Sequence, residues 1–156
     1  MTFGRKLTAE ALGTMMLLAT SDGPAGGVVR FSIPGLGIAG VGAAQTGSGF
    51  IAPVSRSEAS SFSTGVALIS TETTTNLTLT LRDQGGLLVP GGEVQLTVPA
   101  NGHVAKFIHE LFPQSDTREF VGSLSVASAN GPIAGVVIQL GGRPGEFTTL
   151  PVVPLR

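Results

Sequence analysis

Asn76-Leu77-Thr78-Leu79-Thr80-Leu81-Arg82 decides the fold of this chain. Leucine alternates strictly with threonine, so Leu77, Leu79 and Leu81 share one side of an extended strand and Thr78 and Thr80 the other. A helix would scatter these leucines around its circumference; a half-buried antiparallel strand puts them all against a core. Asp83-Gln84-Gly85-Gly86 then supplies a turn, and Glu93 to Val98 repeats the alternation with Val94, Leu96 and Val98 inward. The two runs read as neighbouring antiparallel strands.

Outward from this pair the punctuation stays regular. Upstream, Val28 to Ile33, Phe50 to Val54 and Thr64 to Ser70 are strand candidates, with Ser55 to Ser63 expected as a polar surface loop. Downstream, strands are expected over Phe120 to Ala127, Pro132 to Leu140 and Phe147 to Val153. Pro132 to Leu140 is apolar on both faces, which predicts a central position in a sheet or a place beneath another chain. One segment follows a helical period: Val104, Phe107, Ile108 and Leu111 are spaced i, i+3, i+4, i+7. Asn101 is placed to cap that helix, Lys106 and Glu110 to form a surface pair, and Pro113 to stop it. A short helix is therefore expected within 101–112.

The amino-terminal stretch 7–20 supports two readings. Leu7, Ala9, Ala11, Gly13, Met15, Leu17 and Ala19 form a small or apolar face with Thr8, Glu10, Thr14 and Thr20 opposite, as in a strand. Leu7, Ala11, Met15 and Leu18 also lie near one helical stripe; Gly13 and the lack of a capping residue favour the strand. Arg5 and Lys6 before Ala11 to Thr20 imitate a secretory signal. Glu10 interrupts that pattern, and Ser21-Asp22-Gly23-Pro24 reads as a turn rather than a cleavage site. The domain organisation expected is an amino-terminal segment over 1–25, available as an exchanged strand, and one β-sandwich over 26–156.

Composition agrees with many short strands. The 156 residues include 23 glycines and 10 prolines spread between runs of Val, Ile, Leu and Thr, and no cysteine. Only 12% of residues are charged, and the mean hydropathy is +0.38, yet no apolar run is long enough to span a membrane. A chain this poor in charge is expected to hide apolar surface against partners. A net charge of −1 and scattered basic residues leave no footprint for nucleic acid or an anionic membrane.

The fragments Val29-Arg30-Phe31-Ser32-Ile33-Pro34-Gly35-Leu36-Gly37-Ile38-Ala39-Gly40-Val41-Gly42, Thr64-Gly65-Val66-Ala67-Leu68, Gly102 to Pro113 and Gly145 to Pro154 are together similar to a module of secreted or surface-exposed bacterial proteins, often within multidomain chains. The resemblance covers roughly residues 28–154. It implies an immunoglobulin-like β-sandwich in an extracellular or cell-surface setting, and it transfers no catalytic residue.

The residues themselves offer little chemistry. Six positions separate His103 from His109, which on a helix turns the imidazoles away from a common face, so no metal site is expected. Asp83 and Asp116 are available to a Ser-His-Asp arrangement, but no G-x-S-x-G elbow exists: Gly47-Ser48-Gly49 lacks its frame, and Gly122-Ser123 belongs to an alternating strand. The glycines of Gly35-Leu36-Gly37-Ile38-Ala39-Gly40 resemble a phosphate loop only superficially, since no Walker lysine-serine pair follows. The aspartates Asp22, Asp83 and Asp116 stand too far apart in sequence to suggest a calcium cage; the absence of Trp and Tyr removes the best stacking platforms for a sugar, and the eight Phe residues mostly fall at core-facing positions. Asn76-Leu77-Thr78 is formally a glycosylation acceptor, here read as part of a strand.

The expectation is an all-β antiparallel sandwich, immunoglobulin-like or jelly-roll-like, with one short helix, no enzymatic activity, no cofactor and no metal. Its function is expected to be self-association by strand addition into a filament or surface assembly. Leu7, Ala9, Ala11, Met15 and Leu17, or Phe147, Leu150 and Val152, are the donor candidates. The alternative is a monomeric spacer or a ligand-binding module, carbohydrate included, whose ligand the sequence does not identify.

Overall fold

The computed structural model describes residues 28–33, 37–42, 44, 46–71, 73–142 and 146–155. Two antiparallel sheets account for the strands. The smaller is a hairpin of β1 (Val28–Ile33) and β2 (Gly37–Gly42), in register from Val28 opposite Gly42 to Ile33 opposite Gly37.

The larger sheet is folded on itself into two layers. Its strands are β3 (Gly49–Ser57), β4 (Phe62–Ser70), β5 (Thr75–Asp83), β6 (Leu88–Val98), β7 (His103–Phe107), β8 (Glu119–Ser128), β9 (Ile133–Leu140), β10 (Phe147–Leu150) and β11 (Val153–Pro154). One layer runs β3-β8-β5-β6, with β11 against the outer edge of β3; the other runs β10-β9-β4-β7. The layers share the β3–β4 hairpin. Its strands pair only at Arg56–Ser63 and Ser57–Phe62, then part company, β3 joining β8 and β4 joining β9 and β7.

Threonine chemistry secures the parting point. The buried Thr64 hydroxyl donates to the Ser55 carbonyl at 2.8 Å and accepts the Ser55 amide at 2.9 Å, replacing the ladder bonds that end there. Gln139 Nε2 adds a bond to Ser55 Oγ at 2.9 Å from the other layer. Ser55 to Ser57, expected as the start of a loop, are thus strand residues, and the surface turn is confined to 58–61.

The main core lies between the layers. Phe50, Ala52 and Val54 of β3, Leu77, Leu79 and Leu81 of β5, and Leu124 and Val126 of β8 face Val66 and Leu68 of β4 and Ile133 and Val137 of β9. The alternating leucines of β5, Leu77, Leu79 and Leu81, are buried in full. β9 lies between β10 and β4, the central place expected from its apolar faces.

The helix is shorter than its periodicity suggested. α1 spans only Ile108–Leu111, and His103–Phe107 is a strand whose residues pair with β4 from Ile69 back to Gly65. Asn101 is not its cap: it sits in the turn before β7 at a φ of 54°. Instead Glu110 Oε2 accepts the amide of Phe107 at 2.9 Å, so Glu110 caps the first turn rather than pairing with Lys106. Ile108, Leu111 and Phe112 close one end of the core. Among the described residues no helix is long and apolar enough to cross a membrane.

Candidate functional site

Two surface regions stand out: a cluster of charged side chains at one corner, and the sheet edges. At the corner, Arg56 reaches from the end of β3 to Glu58 Oε1 at 2.5 Å and to Thr117 Oγ1 at 3.4 Å. Arg118 grips Asp116 with two guanidinium contacts, 2.9 Å to Oδ1 and 2.7 Å to Oδ2, and Glu119 Oε1 accepts the Ala59 amide at 3.0 Å. The Arg118 hydrogen bonds hold the Asp116 carboxyl down at about 2. Glu119 is also lowered, chiefly by the Ala59 amide and then by Ser57. Each of these carboxylates already has a donor. The cluster ties loop 58–61 to loop 115–118 through Arg56 on Thr117 and Glu119 on the Ala59 amide.

The residues considered for chemistry by sequence are dispersed. Asp83 Oδ1 accepts the Leu87 amide at 2.9 Å inside its own hairpin turn, and Asp116 is held by Arg118. His103 is exposed on β7, whereas the half-buried His109 ring stacks on Phe107 with centroids 5.6 Å apart. Asn76 is exposed on β5, where its Oδ1 accepts the Thr97 hydroxyl at 2.8 Å.

The edges differ in how they are protected. β3 is covered by β11, with Val153 opposite Ile51 and Pro154 opposite Phe50, and Pro53 removes a donor between that cover and the β4 pairing. β10 pairs with β9 on one side, and β2 runs close by. β7 is short and carries Lys106. Lys106, assigned to a helix by periodicity, instead stands exposed on an edge strand, where a desolvated ammonium would oppose further pairing.

β6 is different. It pairs with β5 from Thr75–Val98 to Thr80–Glu93 and, past a bulge, at Arg82–Leu88; among the described residues no strand adjoins its other side. The first part of that side is covered, since Ser115 Oγ donates to the Pro90 carbonyl at 2.9 Å and Gln114 lies against Gly91. Among the described residues Glu93 to Val98 has no such cover. Glu93, Gln95 and Thr97 are exposed, Val94 and Leu96 are half-buried against the core, and Val98 is buried. This run lacks Lys, Arg and Pro, the usual devices that blunt an edge.

Of the association candidates read from sequence, Leu7, Ala9, Ala11, Met15 and Leu17 lie outside the described residues. Phe147 and Leu150 belong to β10 and pair with β9 of the same chain, and Val152 follows it. Leu150 and Val152 pack against the main core, Phe147 against a second cluster on the far side of β9. β6 was recognised from sequence as a strand but not as an edge: its alternation was visible, its position last in the layer was not.

The chain matches no family model, no curated protein and no solved structure.

Proposed function

We propose that this protein is a non-enzymatic structural subunit that associates with copies of itself by strand addition, forming an ordered assembly at the cell surface. The observation that carries the proposal is the stretch of β6 from Glu93 to Val98, a strand edge that no other strand joins among the described residues, with half-buried Val94 and Leu96 behind it. Low overall charge supports the same reading, because little electrostatic repulsion opposes the approach of a second copy. The cell-surface setting rests on the resemblance of residues 28–154 to surface modules.

Light scattering and negative-stain microscopy over a range of protein concentrations test it. The wild-type chain should form oligomers as concentration rises. The double variant Gln95→Lys/Thr97→Lys, which places two ammonium groups on the open edge, should remain monomeric at the same concentrations with unchanged thermal stability. A wild-type chain that stays monomeric throughout would point to the isolated spacer and defeat the proposal.

A further inference from the structure

We infer that the strand added to β6 is β6 of a second copy, in an antiparallel pair about a two-fold axis at Leu96. This inference rests on self-association by strand addition and names its partner and symmetry. An isologous contact needs a segment that fits itself when reversed. Antiparallel pairing about Leu96 sets Val94 opposite the partner's Val98, Gln95 opposite the partner's Thr97, and Leu96 opposite the partner's Leu96.

Each opposed pair keeps like with like. Val94, Leu96 and Val98 are on the core side, so the main core continues from one copy into the other; Gln95 and Thr97 are on the exposed side. The Gln95–Thr97 pairing matches contacts already made within one chain, where Gln95 exchanges hydrogen bonds with Thr78 at 3.0 and 3.2 Å and Thr97 bonds Asn76. The single charge of the stretch, Glu93, falls opposite the partner's Pro99, at the far end of the pair from the partner's Glu93, so no like charges meet. Pro99 and the covered Pro90–Gly91 segment end the pairing on either side.

The other edges of the larger sheet fit the role less well. β7 presents Lys106, β3 is covered by β11, and the carboxy-terminal strand is engaged with β9. Association through one short edge buries a small area, so the dimer is expected to be concentration-dependent.

The chain has no cysteine, so introduced thiols report the pairing without background. Directly opposed residues stand about 5 Å apart, within disulfide reach, whereas diagonal ones about 7–8 Å apart do not. Under mild oxidation Gln95→Cys/Thr97→Cys should give a covalent dimer on non-reducing gels, while Gln95→Cys and Thr97→Cys singly should not. Deletion of residues 1–22 should leave the cross-link in place. Oligomers that form without the cross-link would overturn β6–β6 pairing while leaving self-association standing, as would loss of the cross-link on deletion. Cross-linking by Gln95→Cys alone would overturn the axis at Leu96. A monomeric wild-type chain would overturn both readings.

Discussion

The two layers of the sandwich turn very different faces outward. Away from the core, the β3-β8-β5-β6 layer presents Thr78, Thr80, Ser123, Ser125, Gln95 and Thr97, the polar half of an alternating pattern. Away from the core, β4 and β9 present Ala67, Ile69, Ala134, Val136 and Ile138, all buried, with Ala44, Ala105, Leu140 and Phe147 packed against them. One layer therefore meets water on its outer side, while the inner strands of the other, β4 and β9, are buried on both faces. Alternation is required only where the two sides of a strand see different surroundings; β4 and β9 do not alternate because theirs do not.

The largest test of that contrast is a charge placed on each outer face. Ala67→Asp puts a carboxylate among buried aliphatic groups with no partner, and should cost about 3–5 kcal/mol or prevent folding, as measured by denaturant unfolding. Gln95→Lys, on the exposed face of the other layer, should change stability by less than about 0.5 kcal/mol. Equal effects would mean that the outer side of β4 and β9 is not a second core.

On the core-facing side of β9, Gly135 leaves room for the Phe50 ring of the opposite layer. A Cβ there would lie 2.1 Å from Cε1 of the buried Phe50, so Gly135→Ala should cost about 3 kcal/mol through overpacking, measured the same way. Recovery in Gly135→Ala/Phe50→Leu would confirm the steric cause. A smaller loss is expected at the hinge between layers. Thr64→Val keeps the shape but strips both hydrogen bonds from the Ser55 backbone, and should cost about 1–2 kcal/mol with faster amide exchange at Ser55.

The smallest effect concerns the Asp116–Arg118 pair within loop 115–118. Asp116 is exposed and titrates at about 2 rather than its ordinary 3.8, because Arg118 hydrogen-bonds its ionised form. A lowered carboxyl pKa favours the folded state fully above 3.8 and loses that contribution as pH falls towards about 2. Carbon-detected NMR titration should find the low midpoint, and Arg118→Gln, which removes the guanidinium but keeps the backbone amide bond to Asp116, should raise it towards the ordinary range. A midpoint unaffected by that change would remove Arg118 as the cause.

The pair β5 and β6 was legible because each carries its whole environment in its own alternation. Leu77, Leu79 and Leu81 have one solution as a strand and none as a helix with a single apolar stripe. His103 to Phe107 was not legible. Val104, Phe107, Ile108 and Leu111 satisfy a helical period, yet the backbone of residues 103–107 is drawn into pairing with β4, and only residues 108–111 keep the helix. The edge at β6 lay between these cases, with its strand readable and its exposure dependent on which strands came to lie beside it.

Sequence alone determined an antiparallel all-β chain, because the period of apolar residues along a segment is a local property set by backbone geometry. Tertiary structure alone decided which strands are edges, where β3 and β4 part, and which layer is buried on both sides. Those depend on contacts between segments far apart in the chain, and no local period records them.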